Sequence, residues 1–290
     1  MPSKKIWALA FLIWLILPIS MANPQTIPMV FEMPISNQFS GGFGEWQRKA
    51  HVAIVIDDFG QRNATGDNEI LSLSIPITCA IMPNLENTQK HAVKAKEQGH
   101  QVIVHLPMEP INGKRSWLGP GAITMQLSED EIKSVVSGDF KSVPYAVGFN
   151  NHMGSAVTSS AKIMRTVLQV AQERNFFVLD SRTTLKSKIP SLSKELGIAF
   201  VERDVFLDNV KNKDYVKKQL YKLSQEALKK GTAVGIGHVG LGGNITARAL
   251  KEMIPQMKEM GIEFVYLSDI AYNKKSSEWK ARDKVSSIDH

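Results

Sequence analysis

Short apolar runs alternate with amphipathic stretches along most of this chain. The apolar runs are rich in valine and isoleucine, which is typical of buried strands, whereas the stretches between them place apolar residues at helical spacing. We therefore predict strands separated by helices, with the strands at residues 52–56, 77–82, 101–106, 146–149, 176–179, 198–201, 232–236 and 263–267.

The predicted helices carry recognisable signals at their ends. Ser128 and Glu131 form a capping-box pattern, and the helices at 86–98, 214–230 and 246–260 are each followed by a glycine. Pro255 is expected to kink or interrupt the last of these helices. Regular alternation of strand and helix predicts a mostly parallel sheet with helices outside, either closed as a barrel or open and doubly wound.

The barrel is the favoured alternative because no glycine-rich nucleotide loop follows the first strand. Residues 107–127 form an unusually long connection with several glycines, and we expect them to cover the mouth of the barrel.

The two ends of the chain differ from this pattern. Residues 1–22 combine two lysines, an apolar run and a small-residue cleavage site, so they are predicted to be a secretory signal peptide. An uncleaved membrane anchor is the alternative. Residues 23–49 are predicted to be a linker or irregular segment, 50–272 the barrel domain, and 273–290 a disordered polar tail.

Composition and charge narrow the classes of function. The chain is 43% hydrophobic, which is enough for a large core. Its formal charge of +7 is spread along the sequence, so nucleic acid is not expected as a partner. Contact with a membrane is expected only through the N-terminal segment, if that segment is uncleaved, and the oligomeric state is left open. Cys79 is the single cysteine and cannot form an internal disulfide.

Polar side chains follow nearly every predicted strand. Because the carboxyl ends of parallel strands lie at one end of a barrel, residues far apart in sequence are expected to converge there. This set consists of Asp57, Asp58, His105, Glu109, Asn150, Asn151, His152, Asp180, Arg203, Asp204 and His238.

The adjacent acids Asp57 and Asp58 are the most informative members of this set. Two neighbouring carboxylates repel each other, and a divalent cation would relieve that repulsion. One aspartate could then bind the ion while the other acts as a base toward an activated water. A helix cap or a turn at Gly60 is the alternative. Imidazole and carboxylate together are typical ligands of a catalytic zinc or a similar ion.

Five ordered motifs at strand ends, IVIDDFG, VIVHLPMEP, GFNNHMGS, FVLDSRTT and GIGHVG, resemble those of the divergent polysaccharide deacetylase family. The resemblance covers about residues 51–270 and implies a distorted seven- or eight-stranded β/α barrel. It also implies metal-dependent removal of an acetyl group from an N-acetylated sugar. In that reaction Asp57 would be the base, Asp58 a metal ligand and His238 the general acid. From the chemistry of the site, Asp180 or Asp204 is expected to orient His238 or to tune its pKa.

The chain also departs from the mainstream deacetylase pattern. Glu109 stands where a second metal-binding histidine is expected, and the segment around Asn150 replaces an Arg-x-Pro-Tyr motif. Either Glu109 or His152 would therefore complete the metal site beside His105. The residues predicted to bind substrate are Asn150, Asn151, Arg203 and Asp204.

The predicted function is an exported, metal-dependent hydrolase, with zinc as the expected ion, that deacetylates an envelope glycan. A non-catalytic periplasmic protein that binds glycan or metal, or serves as a scaffold, is the alternative because of the two departures. A metal hydrolase acting on another amide or ester bond is a third interpretation.

Overall fold

The computed structural model describes residues 49–62 and 64–274. The predicted signal peptide lies outside the described residues, as do the predicted linker except for its last residue and nearly all of the predicted tail. Nine strands are observed: β1 (Ala50–Phe59), β2 (Thr78–Ile81), β3 (Gln101–Met108), β4 (Ala146–Met153), β5 (Phe177–Asp180), β6 (Phe200–Glu202), β7 (Val205–Phe206), β8 (Thr232–His238) and β9 (Ile262–Phe264).

Seven helices connect these strands within the described ranges. They are α1 (Asp67–Leu71), α2 (Thr88–Glu97), α3 (Glu129–Ser142), α4 (Ala161–Glu173), α5 (Ile189–Leu196), α6 (Lys213–Lys230) and α7 (Gly243–Glu259). A short 3-10 helix, Arg115–Trp117, lies in the long connection after β3. None of the helices in this part of the chain combines the length and the apolar character needed to cross a membrane.

The helix ends agree with their sequence signals, with one exception. The Ser128 capping box is formed at the start of α3, and Gly231 ends α6 in the left-handed conformation. α7, however, continues through Pro255 as a single helix, so the predicted interruption is wrong. The helix α7 also begins at Gly243, three residues earlier than predicted.

The sheet is parallel throughout and strongly curled. Its strand order is β6-β5-β4-β3-β2-β1-β8-β7, and β9 pairs with the first part of β1. The two edge strands, β6 and β7, are consecutive in the chain and are separated only by Arg203 and Asp204. The chain itself therefore spans the opening between the two edges. This nearly closed β/α barrel confirms the predicted fold.

Apolar side chains fill both faces of the sheet. One cluster, which includes Val52, Ile54 and Ile56 of β1, packs between the sheet and the surrounding helices. The second cluster includes Ala53 and Val55 of β1 and occupies the inner face. Because side chains alternate along a strand, the inner series of β1 continues to Asp57. The same alternation leads from Ile103 to His105 on β3 and from Ile236 to His238 on β8.

Candidate metal centre and active site

A break in the regular pairing of β1 turns both aspartates toward one end of the barrel. The register between β1 and β2 shifts between Ile56 and Phe59, and Asp58 has a φ of 69°. Aspartate tolerates this left-handed conformation better than most residues. The shift lets Asp58, which follows the inward-facing Asp57, also face the histidines of β3 and β4.

Asp58, His105 and His152 bring three donor atoms to one place. The Oδ1 atom of Asp58 lies 3.4 Å from Nε2 of His105 and 3.3 Å from Nδ1 of His152. The two ring nitrogens are 3.0 Å apart. Ligands held about 2.0–2.1 Å from a tetrahedral zinc ion lie about 3.3–3.4 Å from one another, so the separations fit such an ion.

Hydrogen bonds at the outer ring nitrogens of His105 and His152 fix the tautomers of the two rings. Nε2 of His152 lies 3.2 Å from the carbonyl oxygen of Trp117, and Nδ1 of His105 lies 2.8 Å from Oδ1 of Asn150. Both partners accept hydrogen bonds, so in the neutral rings these outer nitrogens carry the protons. Nε2 of His105 and Nδ1 of His152 then each present a lone pair. They lie next to Oδ1 of Asp58, which is buried and has no hydrogen bond. Three converging acceptors fit a cation.

The charges of this group also favour binding of a cation. Burial alone would raise the pKa of Asp58, but the imidazoles of His105 and His152 hold it well below its usual range. Burial would likewise lower the pKa of His105, yet Asp57 and Asp58 outweigh it and raise that pKa. Metal binding would therefore release a proton from His105 and would be favoured at higher pH.

Asp57 lies behind the metal group and is linked to it through Asn150. The Nδ2 atom of Asn150 donates to Oδ1 of Asp57 at 2.9 Å, while Oδ1 of the same amide faces His105. Oδ2 of Asp57 is 3.7 Å from Nδ1 of His105. Burial raises the pKa of Asp57, which makes its ionised form a stronger base.

His238 stands beside Asp57 because their strands pair in register. The two residues are directly paired between β1 and β8. Nδ1 of His238 is 2.8 Å from Oδ1 of Asp208, and Oδ2 of Asp208 accepts a hydrogen bond from Thr246 Oγ1 at 2.8 Å. Burial alone would lower the pKa of His238, but Asp208 and Asp57 outweigh it and raise the pKa to about 9. The ring is therefore a proton donor at neutral pH.

The prediction that Asp180 or Asp204 orients His238 is wrong, because the carboxylate that contacts His238 is Asp208. Asp180 accepts the N–H of Arg182 at 2.8 Å, and burial raises its pKa. It follows Leu179, a residue of the inner cluster, so alternation along β5 turns it away from His238. Asp208 would be found by the same strand-end rule if the two-residue β7 before it were recognised.

Glu109 lies outside the group of metal donors, which corrects its prediction as a ligand. Its Oε2 accepts the N–H of Met125 at 2.8 Å, and its own N–H bonds to Ile123. The donor group found among the described residues is Asp58, His105 and His152. Glu109 therefore organises the long loop after β3, and β4 supplies the second histidine.

The residues predicted to bind substrate are engaged mainly with the protein. Asn150 and Asn151 are buried, and Asn151 accepts the N–H of Ser181 at 3.0 Å. Arg203 donates to the carbonyl of Ser181, and its guanidinium lies 3.7 Å from the centre of the Phe206 ring. Asp204 binds Lys230 and the N–H of Val234. In this structure the four side chains contact the protein itself, and their binding of substrate stays a prediction.

His91 of α2 holds the turn that carries Asp58. Its Nδ1 accepts the N–H of Gly60 at 2.9 Å, and its Nε2 faces Oδ2 of Asp67 at 3.4 Å. Gly60 has a φ of 105°, and a Cβ there would lie 2.9 Å from the carbonyl oxygen of Met82. The N–H of Gly60 is therefore engaged by His91, and it is not free to bind a substrate oxygen.

Comparison with known proteins agrees with this geometry. A family model described as divergent polysaccharide deacetylase matches residues 54–271. The chain belongs to this family. The matched range contains all the residues of the candidate site, and the predicted resemblance is confirmed.

Two curated relatives are themselves uncharacterized proteins. YibQ of Escherichia coli K12 is 34% identical over 70% of this chain and 62% of its own length. A protein of Haemophilus influenzae Rd is 33% identical over 66% of this chain and 67% of its own length. The chain therefore spans about two thirds of these relatives or slightly less.

A solved structure supports the fold. The crystal structure of an uncharacterized protein from Agrobacterium tumefaciens C58 has a TM-score of 0.72 and 19% identity, covering 78% of this chain and 91% of that one. At 19% identity this similarity supports the fold alone, so the chemistry is argued only from the residues of the site.

Proposed function

We propose that the protein is a metal-dependent hydrolase that removes the acetyl group from an N-acetylated glycan of the cell envelope. The observation that carries the proposal is the convergence of Asp58, His105 and His152 on one point, with Asp57 and His238 paired next to them. Membership of the divergent polysaccharide deacetylases supports a glycan as substrate.

The donor set of two imidazoles and one carboxylate favours zinc, with one position left for water or substrate. When bound, the ion would polarise the acetyl carbonyl and acidify the attacking water. Asp57 would take the proton of that water, since burial makes it a stronger base. His238, held protonated by Asp208, would give a proton to the departing sugar amine.

Export is part of the proposal and rests on the sequence of residues 1–22. We expect the full chain, expressed in a Gram-negative host, to be found in the periplasmic fraction. Recovery of the chain in the cytoplasm would remove the envelope glycan from the proposal and leave the metal site to be tested on other acetylated sugars.

The proposal is tested by metal analysis and acetate release. The purified protein should contain about one zinc per chain and should release acetate from chitin oligomers or peptidoglycan fragments. Asp58→Ala should lose the metal, whereas Asp57→Asn should keep the metal and lose turnover. Asp130→Asn, at an exposed position in the first turn of α3, is the matched control and should behave as the wild type.

Two outcomes would replace the proposal. Full acetate release by Asp57→Asn would remove the assigned base. A bound metal together with no acetate from any of these glycans would favour the non-catalytic glycan- or metal-binding protein.

A further inference from the structure

The most exposed large apolar side chains are gathered at the end of the barrel that carries the site. In the described part of the chain they are Leu185, Leu241, Ile111 and Trp117, with exposures of 93%, 89%, 64% and 58%. Each lies in a loop that follows the carboxyl end of a strand, namely β5, β8 or β3. Apolar side chains that protrude together are a usual mark of an interaction surface.

We call the loops at residues 109–127, 181–188, 207–212 and 239–242 the rim. On one side, the N–H of Ile111 donates to Oγ of Ser155 just after β4, and Thr183 donates to the carbonyl of Met153 at the end of β4. These contacts join the loops after β3 and β5 through β4.

The other two rim loops also touch each other. The stem of Lys211 packs over Gly242, and its Nζ lies 3.4 Å from Oδ2 of Asp208, the partner of His238. The loop after β8 continues to the loop after β1 through the hydrogen bond from Gly240 to Thr65. The apolar tips therefore belong to loops that surround one site.

The rim is strongly cationic. Its sequence contains six lysines and arginines and one aspartate in addition to Glu109. That aspartate, Asp208, is buried against His238, and Glu109 is bonded to the backbone of Met125. The most exposed apolar residue, Leu185, is followed by the exposed Lys186 and Lys188.

Acids near the rim are largely engaged with neighbouring groups. The first turn of α3 is acidic, but Glu129 pairs with Lys133 and Glu131 bonds to Ser128 in the capping box. Arg182 in the rim pairs with Glu202 at 3.7 Å. In the loop at 181–188 the excess positive charge is therefore carried by the exposed Lys186 and Lys188.

We infer that the rim is a docking surface for an anionic lipid bilayer. Single apolar tips flanked by lysines are suited to insertion among lipid headgroups, where the tips leave water and the ammonium groups meet phosphates. A second copy of this chain fits less well, because a symmetric contact would place the cationic loops against each other.

The docked protein would turn its site toward the bilayer. The substrate class that fits this orientation is a glycan attached to a lipid and presented at the membrane surface. This last step rests on the proposed function, whereas docking itself rests only on the rim.

Vesicle binding tests the inference with the full chain. We expect tighter binding to vesicles of phosphatidylcholine with phosphatidylglycerol than to phosphatidylcholine alone. Leu185→Ser with Leu241→Ser, and separately Lys186→Glu with Lys188→Glu, should each weaken binding to the anionic vesicles about tenfold. Leu228→Ser, at the opposite end of the barrel near the end of α6, is the matched control and should bind as the wild type.

A site-specific probe separates the rim from any membrane affinity of the N-terminal segment. Cys79 is buried, so a cysteine introduced at Leu185 or Leu228 can be labelled selectively with a bimane fluorophore. Lipids carrying a spin-label quencher should quench the bimane at Leu185→Cys and should leave Leu228→Cys unquenched.

The outcomes distinguish docking from catalysis. Equal quenching at the two positions, or unchanged binding by both rim double variants, would overturn the docking surface. A stable dimer in light scattering that both double variants dissociate would assign the rim to a second copy instead. Asp58→Ala should bind vesicles as the wild type, because docking does not depend on the metal site. A wild-type protein that binds anionic vesicles and releases no acetate would count only against the proposed function.

Discussion

The carboxylate of Asp208 holds His238 by accepting two hydrogen bonds from it. Its Oδ1 lies 2.8 Å from Nδ1 of the ring, and its Oδ2 accepts the backbone N–H of His238 at 2.9 Å. The carboxylate fixes the proton on Nδ1 and fixes the position of the ring at the end of β8. Nε2 is then the atom that can give a proton to a leaving group.

This pair should determine the alkaline limb of the activity. The pKa of His238 is raised to about 9, so the acid form is present at neutral pH and is lost as the pH rises through about 9. Asp208→Asn removes a main cause of that rise and should move the limb of kcat/KM about one pH unit lower or more. The measurement is acetate release from pH 6 to pH 10, with Asp130→Asn as control.

The same proton makes the stability of the folded state depend on pH. A histidine whose folded pKa lies above its ordinary 6.5 stabilises the folded state fully below about pH 6.5. The stabilisation is lost as the pH rises from there to about 9. Asp208→Asn should flatten this dependence in urea unfolding, and an unchanged alkaline limb together with unchanged pH dependence would show that the pair does not hold the proton.

The identity of the third ligand gives a second prediction. His152→Ala removes a donor atom 3.3 Å from Asp58 and should weaken zinc binding more than about 100-fold in a chelator competition. Glu109→Gln keeps an acceptor for the N–H of Met125 and should bind zinc as the wild type. Loss of zinc from Glu109→Gln, with zinc retained by His152→Ala, would instead support Glu109, the other ligand that the sequence allows.

Much of the fold is predictable because eight of the nine strands contain an apolar run of their own. The prediction misses β7 because Val205 and Phe206 follow β6 after only two polar residues, so no separate run is visible. It also ends β1, β4 and β8 too early. Asp57, His152 and His238 lie in the parts that the prediction leaves out, because a pattern of hydrophobicity does not identify polar residues as strand residues.

The sequence predicts those residues of the candidate site that lie at the carboxyl ends of recognisable parallel strands. Asp58, His105 and His152 converge because their strands end at the same edge of the sheet. Asp208 and His91 are not predictable in this way. Asp208 depends on the missed strand β7, and His91 reaches Gly60 from the interior of α2, where no local pattern indicates a role.

A buried acid under the long loop gives a third prediction. Asp139 of α3 is buried, its Oδ1 accepts from Nδ2 of Asn84 at 2.6 Å, and its Oδ2 has no hydrogen bond. The backbone of Gly121 approaches Asp139 so closely that a Cβ at Gly121 would overlap Oδ1 of the carboxyl group. Burial raises the pKa of Asp139 to about 8.

The folded state therefore binds a proton at Asp139 that the unfolded state releases above about pH 4. Stability should fall as the pH rises from about 4 to about 8, and Asp139→Asn should remove at least ~1 kcal/mol of that fall. Urea unfolding at pH 5 and pH 8 measures it, with Asp130→Asn on the same helix as control. The same pH dependence in Asp139→Asn and the wild type would contradict the assignment.

His91 gives the last prediction, because it connects the helix α2 to the metal ligand on β1. Burial lowers the pKa of His91, so the ring is neutral, with Nδ1 accepting from Gly60 and Nε2 facing Asp67. His91→Leu would leave the N–H of Gly60 unpaired and free the turn that holds Asp58 in its left-handed conformation. We expect about tenfold weaker zinc binding and ~1–3 kcal/mol lower stability.

His100 provides the matched control, since it is also buried and its Nε2 bonds to the carbonyl of Leu71, away from the metal group. His100→Leu should lower stability by a similar amount and leave zinc affinity unchanged. His91→Gln, whose amide can accept from Gly60, should recover part of the zinc affinity. If His91→Leu and His100→Leu lose stability alike and both keep full zinc affinity, His91 supports the fold without positioning Asp58.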